Sequence, residues 1–199
     1  ANLPDYIQGV TWEIWEGRQI SSLHQAYGKD MVARSTIGVM TGNVDVINDT
    51  LASLAAFPDR QIYGDDVIWS GSEAEGYLSS HRSMIIGTHT GHGVFGPPTG
   101  RRVAARCIAD CYVQDDVITD EWLCYDMAAM VQQLGHSPEA YARAAIAREG
   151  GPENARRPFT PEVDLPGPYK GRGNDHPLGH RLADILTRIM DKDVAVIGA

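Results

Sequence analysis

The sequence predicts an α+β fold: a cone-shaped, curved antiparallel sheet with helices packed on its concave face, followed by a helical and extended C-terminal arm. Three observations carry this. Stretches with helical apolar spacing come first, then long segments rich in β-branched and aromatic residues separated by turn signals, then a closing helix. The strand candidates follow one another without the intervening helices that a parallel βαβ sheet needs. After residue 135 the chain changes character and becomes rich in Gly and Pro.

The elements run as follows. In residues 5–34, Tyr6, Val10, Ile14, Ile20, Leu23 and Tyr27 recur at roughly helical spacing, with breaks at Gly17 and Gly28, which predicts a helix in two pieces. "STIGVMTG" (35–42) reads as a short strand. "NVDVINDTLASLAAFP" reads as a helix capped by Asn43 and stopped by Pro58. "RQIYGDDVIWSGS" (60–72), interrupted by Gly64, reads as a split or bulged strand. Long strands follow at 76–92 and 101–114, and the last, "VITDEWLCYD" (117–126), pairs back across the Asp115-Asp116 turn. "MAAMVQQLG" is a helix ending at Gly135, a natural C-cap. This closes a first domain, 1–135.

The remainder, 136–199, forms a C-terminal extension. Ser137-Pro138 opens a capped helix. Residues 150–177 read as an extended arm. The end is an amphipathic helix with Leu182, Ile185, Leu186, Ile189 and Met190 on one side. Such a helix must bury its apolar face by folding back, by docking on a second copy, or as the start of a further domain. The expected assembly is a homodimer made through this arm.

Composition narrows the function. Apolar residues make up 43% of the chain and charged residues 22%, enough for a packed core. A net charge of −9 argues against nucleic acid or an anionic membrane as the main partner. Apolar runs fall well short of the roughly 20 residues a membrane span needs, and the first residues lack a signal-peptide pattern. The three cysteines, Cys107, Cys111 and Cys124, include no CxxC pair and make no disulfide framework, so they are expected as core or pocket residues of a cytoplasmic protein.

Chemistry concentrates in "GTHTGHGVFGPPTGRRV" (87–103). It is no phosphate loop, because G-x-x-x-x-G-K-[ST] is missing and a strand, not a helix, follows. Its Gly and Pro residues make a corner, with His92 a bystander. Strand parity places His81 and His89 on one face, so these two with a carboxylate form one candidate metal site. The competing reading is an acid–base pocket. Asp110, midway along the apolar "CIADCYV", is then either a salt-bridge partner of Arg82 or Arg106 or a carboxylate whose buried state raises its pKa. Asp126, just before a helix, is an N-cap, a pocket acid, or both. Parity on the last strand groups Asp120, Trp122, Cys124 and Asp126, with Glu121, Leu123 and Tyr125 on the other face.

The blocks "GTHTGHGVFGPPTGRRV" and "ITDEWLCYDMAAMVQQLG" together resemble the SnoaL-like polyketide cyclases, also known as predicted ester cyclases, of the nuclear transport factor 2-like superfamily. The resemblance implies a ligand cavity inside a cone-shaped α+β barrel. It also implies a cofactor-free reaction in which a last-strand aspartate moves a proton in an aldol ring closure. Asp126 stands at that aspartate's position, His89 at the family's Thr-His position, and Trp122 at its tryptophan. Relatives in the superfamily isomerise ketosteroids, hydrate epoxides and dehydrate phenolic substrates, so fold alone does not give the reaction.

The expectation drawn is an enzyme without cofactor or bound metal, of cyclase, isomerase or lyase type, on a small carbonyl or ester substrate. Asp126 is its acid/base, His89 and His81 serve the oxyanion or the proton, and Asp110 orients a histidine. Trp122, Trp69, Tyr63, Tyr112 and Arg106 are expected to contact substrate. The alternatives are a non-catalytic small-molecule binding module and a metal-dependent lyase or hydrolase built on His81 and His89.

Overall fold

In a computed structural model of the chain, residues 2–36, 38–155 and 176–191 are described. They fall into two units, one holding 2–155 and the other 176–191, and each is considered by itself.

The first unit is a curved, open, six-stranded sheet with helices on its concave face, so the expected α+β class holds. Helix α1 (Leu3–Trp15) starts at Asn2, whose side chain accepts from the Asp5 amide at 3.0 Å, and buries Leu3, Ile7 and Ile14. A 3-10 turn (Ile20–Ser22) and a single α-turn, α2 (Leu23–Ala26), lead into strand β1 (Tyr27–Ser35). Here the expected helix over 5–34 fails in its last third. Pairing with two neighbouring strands overrides the weak apolar spacing of this stretch, as tertiary context commonly does.

Strand β2 (Gly38–Thr41) precedes helix α3 (Asn43–Ala56). Gly42, at φ +83°, takes the cap position expected of Asn43, whose side chain donates instead to the Tyr27 carbonyl at 3.1 Å. Then come β3 (Gln61–Ser72), β4 (Gly76–Thr88), β5 (Arg102–Gln114) and β6 (Val117–Tyr125). The sheet order is β2-β1-β6-β5-β4-β3. All pairings are antiparallel except β1 with β6, which is parallel, a departure from the all-antiparallel expectation. The β5–β6 turn has Asp115 and Asp116 at φ +53° and +58°, the paired left-handed geometry of a tight hairpin.

A break in the β3–β4 register between Gly64 and Asp66 realises the expected bulge. Helix α4 (Met127–Gln133) is tied to the sheet by its last residue: the Gln133 side chain accepts from the Ala104 amide at 2.7 Å and donates to its carbonyl at 2.9 Å. Helix α5 (Pro138–Arg148) is capped by Ser137, and its Tyr141 packs on Phe95.

Two apolar clusters result. One lies between α1, α3 and the middle of the sheet; the other gathers Phe57, Phe95, Val103, Met130 and Leu134 near the corner after β4. That corner packs tightly on α3: a Cβ added at Gly91 would come within 1.8 Å of the Ala55 carbonyl oxygen, so glycine is required there.

The second unit contains helix α6 (Pro177–Met190), capped by His176, with Leu178, Leu182, Leu186, Ile189 and Met190 exposed. Of the arm expected over 150–177, residues 156–175 lie outside the described residues, and so does the pairing of two copies expected through it. No helix among the described residues is long and apolar enough to cross a membrane.

Candidate functional site: an acidic and basic cavity under the helices

Alternation along the strands sends one set of side chains into the concave face. From β6 these are Glu121, Leu123 and Tyr125; from β5, Cys107, Ala109 and Cys111; from β4, His81 and Ser83. With α1 and α3 above, they enclose a cavity of about 90 Å³ whose walls are mostly apolar. The parity grouping of β6 was therefore right, but the face that turns inward carries Glu121, not Asp126.

Glu121 is the centre of this site. It is 4% exposed, and its Oε1 accepts from the Tyr27 hydroxyl at 3.1 Å and from the Cys111 thiol at 3.6 Å. Burial pushes its carboxyl from 4.5 up to about 7; the two donated hydrogen bonds oppose this and the Asp49 carboxylate adds to it. The same burial pushes the Tyr27 and Tyr125 hydroxyls up, which keeps both protonated.

His81 lines the same cavity at 3% exposure, with no partner for its Nε2. Burial lowers its pKa, against an opposing pull from Asp65, so the ring is neutral at pH 7. Gly64 opposite gives it room: a Cβ there would stand 2.6 Å from Nε2. Asp49, raised by burial, and Arg60 also line the cavity.

The other expected residues lie elsewhere. Asp126 is exposed and caps α4, its Oδ1 accepting from the Ala129 amide at 2.9 Å, so it is the N-cap and is not part of the cavity wall. His89 sits one residue beyond β4 in the second cluster, against Phe57 and Phe95, with Nδ1 bound by Thr99. Eight residues of strand place it roughly 25 Å from His81, so the two histidines converge on nothing. Among the described residues no three His, Cys, Asp or Glu side chains gather as a metal site.

Asp110 and Trp122 are cross-strand neighbours on the convex face. Trp122 lies under the Arg34 guanidinium, which pairs with Asp120 at 2.6 Å. Arg82 and Arg106 bind Asp65, and among the described residues Asp110 makes no ion pair, against the salt-bridge alternative for it. Tyr63 is half exposed and donates to Gln61, Trp69 packs on Tyr77 at a separate surface cleft, and the Tyr112 hydroxyl donates to the Glu75 carbonyl at 2.7 Å. Cys124 is exposed, whereas Cys107 and Cys111 line the cavity.

The model of the SnoaL-like polyketide cyclase family matches residues 6–134. The chain belongs to that family. Membership supports a cofactor-independent activity of cyclase or isomerase type. Among solved structures, the SnoaL-like protein is similar to IdmH of Streptomyces antibioticus, proposed to be a polyketide cyclase, with 22% identity and a TM-score of 0.58 over 68% of this chain and 99% of that one. It is similar to TsrD of Streptomyces laurentii, with 17% identity and a TM-score of 0.56 over 67% and 94%. A Catenulispora acidiphila protein with a ketosteroid isomerase-like fold, solved with trimethylamine, matches with 14% identity and a TM-score of 0.55 over 68% and 96%. At these identities the likeness is one of fold. No curated protein matches the chain.

Proposed function

We propose that this SnoaL-like protein is an acid–base enzyme acting on a small carbonyl or ester substrate, with Glu121 as the group that takes and returns the proton. One observation carries the reading: a carboxyl with a pKa of about 7 faces a small apolar cavity. Near pH 7 such a group exists in both forms, so it can abstract a proton α to a carbonyl and deliver it to another atom of the same substrate. The reaction class is cyclisation, isomerisation or elimination through an enolate.

Neutral His81 supplies an N–H donor for the developing oxyanion, and an imidazole does this best when, as here, burial keeps it uncharged. Tyr27 and Cys111 orient Glu121 by donating to the same oxygen, leaving the carboxylate's other oxygen for the substrate. Asp126 and His89 are assigned structural work.

The test is turnover of a panel of β-keto esters and lactones by wild type, Glu121→Gln and Glu121→Asp. Glu121→Gln is expected to lose at least about a hundredfold in kcat/KM, the usual contribution of a positioned acid–base group. The wild-type profile should rise with an apparent pKa near 7. A Glu121→Gln variant that turns over normally sinks the proposal.

A further inference from the structure

Arg60 is a charged cavity residue that the reaction above does not use. It follows the end of α3 and is 7% exposed. It lines the Glu121 cavity and also a second, more apolar chamber of about 90 Å³, walled by Ala52, Phe57, Phe95 and Met130. Asp49 and Tyr125 line both as well, so these three residues stand between the chambers.

The guanidinium is held firmly. It lies 4.2 Å from the centre of the Trp15 ring, its Nη1 donates to the Ser53 hydroxyl, and its backbone amide donates to the Phe57 carbonyl at 3.0 Å. Its charge is not matched. No ion pair to Arg60 occurs among the described residues, and its Nε is buried without a hydrogen-bond partner. Asp49 feels its field but makes no ion pair with it, and burial wins over that field in setting the Asp49 carboxyl.

Arg34 shows what a buried arginine looks like in this protein when its role is structural: it has a carboxylate at 2.6 Å and an aromatic ring beneath it. Arg60 has the ring and lacks the carboxylate. A guanidinium cannot escape by losing its proton, so an unmatched one under cover is costly unless a ligand brings the counter-charge. With Nη1 committed to Ser53, the edge carrying Nε is left, and that edge suits the two coplanar oxygens of a carboxylate.

We infer that Arg60 is the receptor for a carboxylate on the substrate, so that the substrate class is a small amphipathic acid whose apolar body occupies the second, more apolar chamber. This rests on the acid–base reading only in taking the ligand to be the substrate. The arrangement also separates charges usefully: Arg60 anchors the anion between the chambers while Glu121 works in its own cavity.

Titration calorimetry with octanoate and octanamide, probes equal in shape and unequal in charge, tests this without any turnover. Wild type is expected to bind octanoate at least about tenfold more tightly than octanamide, the value of one charge-assisted contact. Arg60→Gln and Arg60→Met should lose that preference while retaining octanamide binding, and Arg60→Lys should keep part of it. Octanoate should also quench Trp15, with the change lost in Trp15→Phe.

Equal binding of acid and amide by wild type overturns the inference, even if the Arg60 variants fail to fold. So does a preference that survives in folded Arg60→Gln, or inorganic phosphate displacing octanoate at equal concentration. Glu121→Gln should lose turnover yet keep the octanoate preference. A preference present with Glu121→Gln fully active refutes the acid–base role alone; a preference absent with Glu121→Gln inactive refutes the carboxylate receptor alone.

Discussion

Replacing Glu121 by Gln tests the physics of the site before any substrate is known. The amide keeps the side chain's shape, and its oxygen can still accept from Tyr27 and Cys111, so what changes is chiefly the proton. In the folded protein the carboxyl releases that proton near pH 7, and its ordinary value is 4.5. Between those pH values the folded state holds a proton that the unfolded chain has given up. Stability therefore falls as pH rises through this window and levels off above it. At about 1.4 kcal/mol per tenfold change in proton affinity, the gap amounts to roughly 3 kcal/mol.

The measurement is the unfolding free energy of both proteins in urea, followed by tryptophan fluorescence from pH 4.5 to 8. His81 and His89, whose pKa values burial lowers, contribute an opposite slope below their ordinary 6.5, but they do so in both proteins and cancel in the difference. Relative to wild type, Glu121→Gln should gain roughly 3 kcal/mol across the window. A difference that does not change with pH would mean that the carboxyl is ionised in the folded state at its ordinary pKa. The reasoning about the cavity would then be wrong.

Three further outcomes separate the cavity from the residues around it. Asp126→Ala should cost about 1 kcal/mol as the loss of an N-cap and leave kcat within a few-fold of wild type, read by urea unfolding and steady-state kinetics. Gly64→Ala should lower kcat with little change in the far-ultraviolet circular dichroism, because its Cβ would displace the His81 ring. His89→Phe should also leave activity intact while changing stability by about 1 kcal/mol, since it exchanges the Thr99 hydrogen bonds for relief of an unpartnered buried Nε2.

Most of the architecture was legible because it is written in local signals. Turn residues at 115–116, the interruption at Gly64 and the caps at Ser137 and Gly135 act within a few residues of themselves. Strand β1 was not legible, since its place is fixed by partners about 90 positions away on β6. The site was half legible. Parity sorted β6 into its two faces, but nothing in a single strand says which face turns inward. Trp122 misled because it serves Arg34 on the convex side. One signal pointed the right way: the set Glu121, Leu123, Tyr125 lies opposite the cysteines and His81 once the β4–β5–β6 register is known.

That inward face also explains why a glutamate and an arginine can share one enclosure without neutralising each other. An ion pair between Glu121 and Arg60 would hold the carboxyl well below neutrality and consume the guanidinium, leaving neither proton nor positive charge for a ligand. Instead Glu121 is held by uncharged donors, Tyr27 and Cys111, and Arg60 by an uncharged ring and a hydroxyl, Trp15 and Ser53. Neutral partners fix position without cancelling charge. The fold thus bears the cost of two buried, unpaired ionisable groups, a cost a purely structural core would avoid by pairing them, as it does for Arg34 and Asp120. A double variant, Glu121→Gln with Arg60→Met, should accordingly be more stable at pH 8 than either single variant. A double variant less stable than both would show that the two charges already support one another.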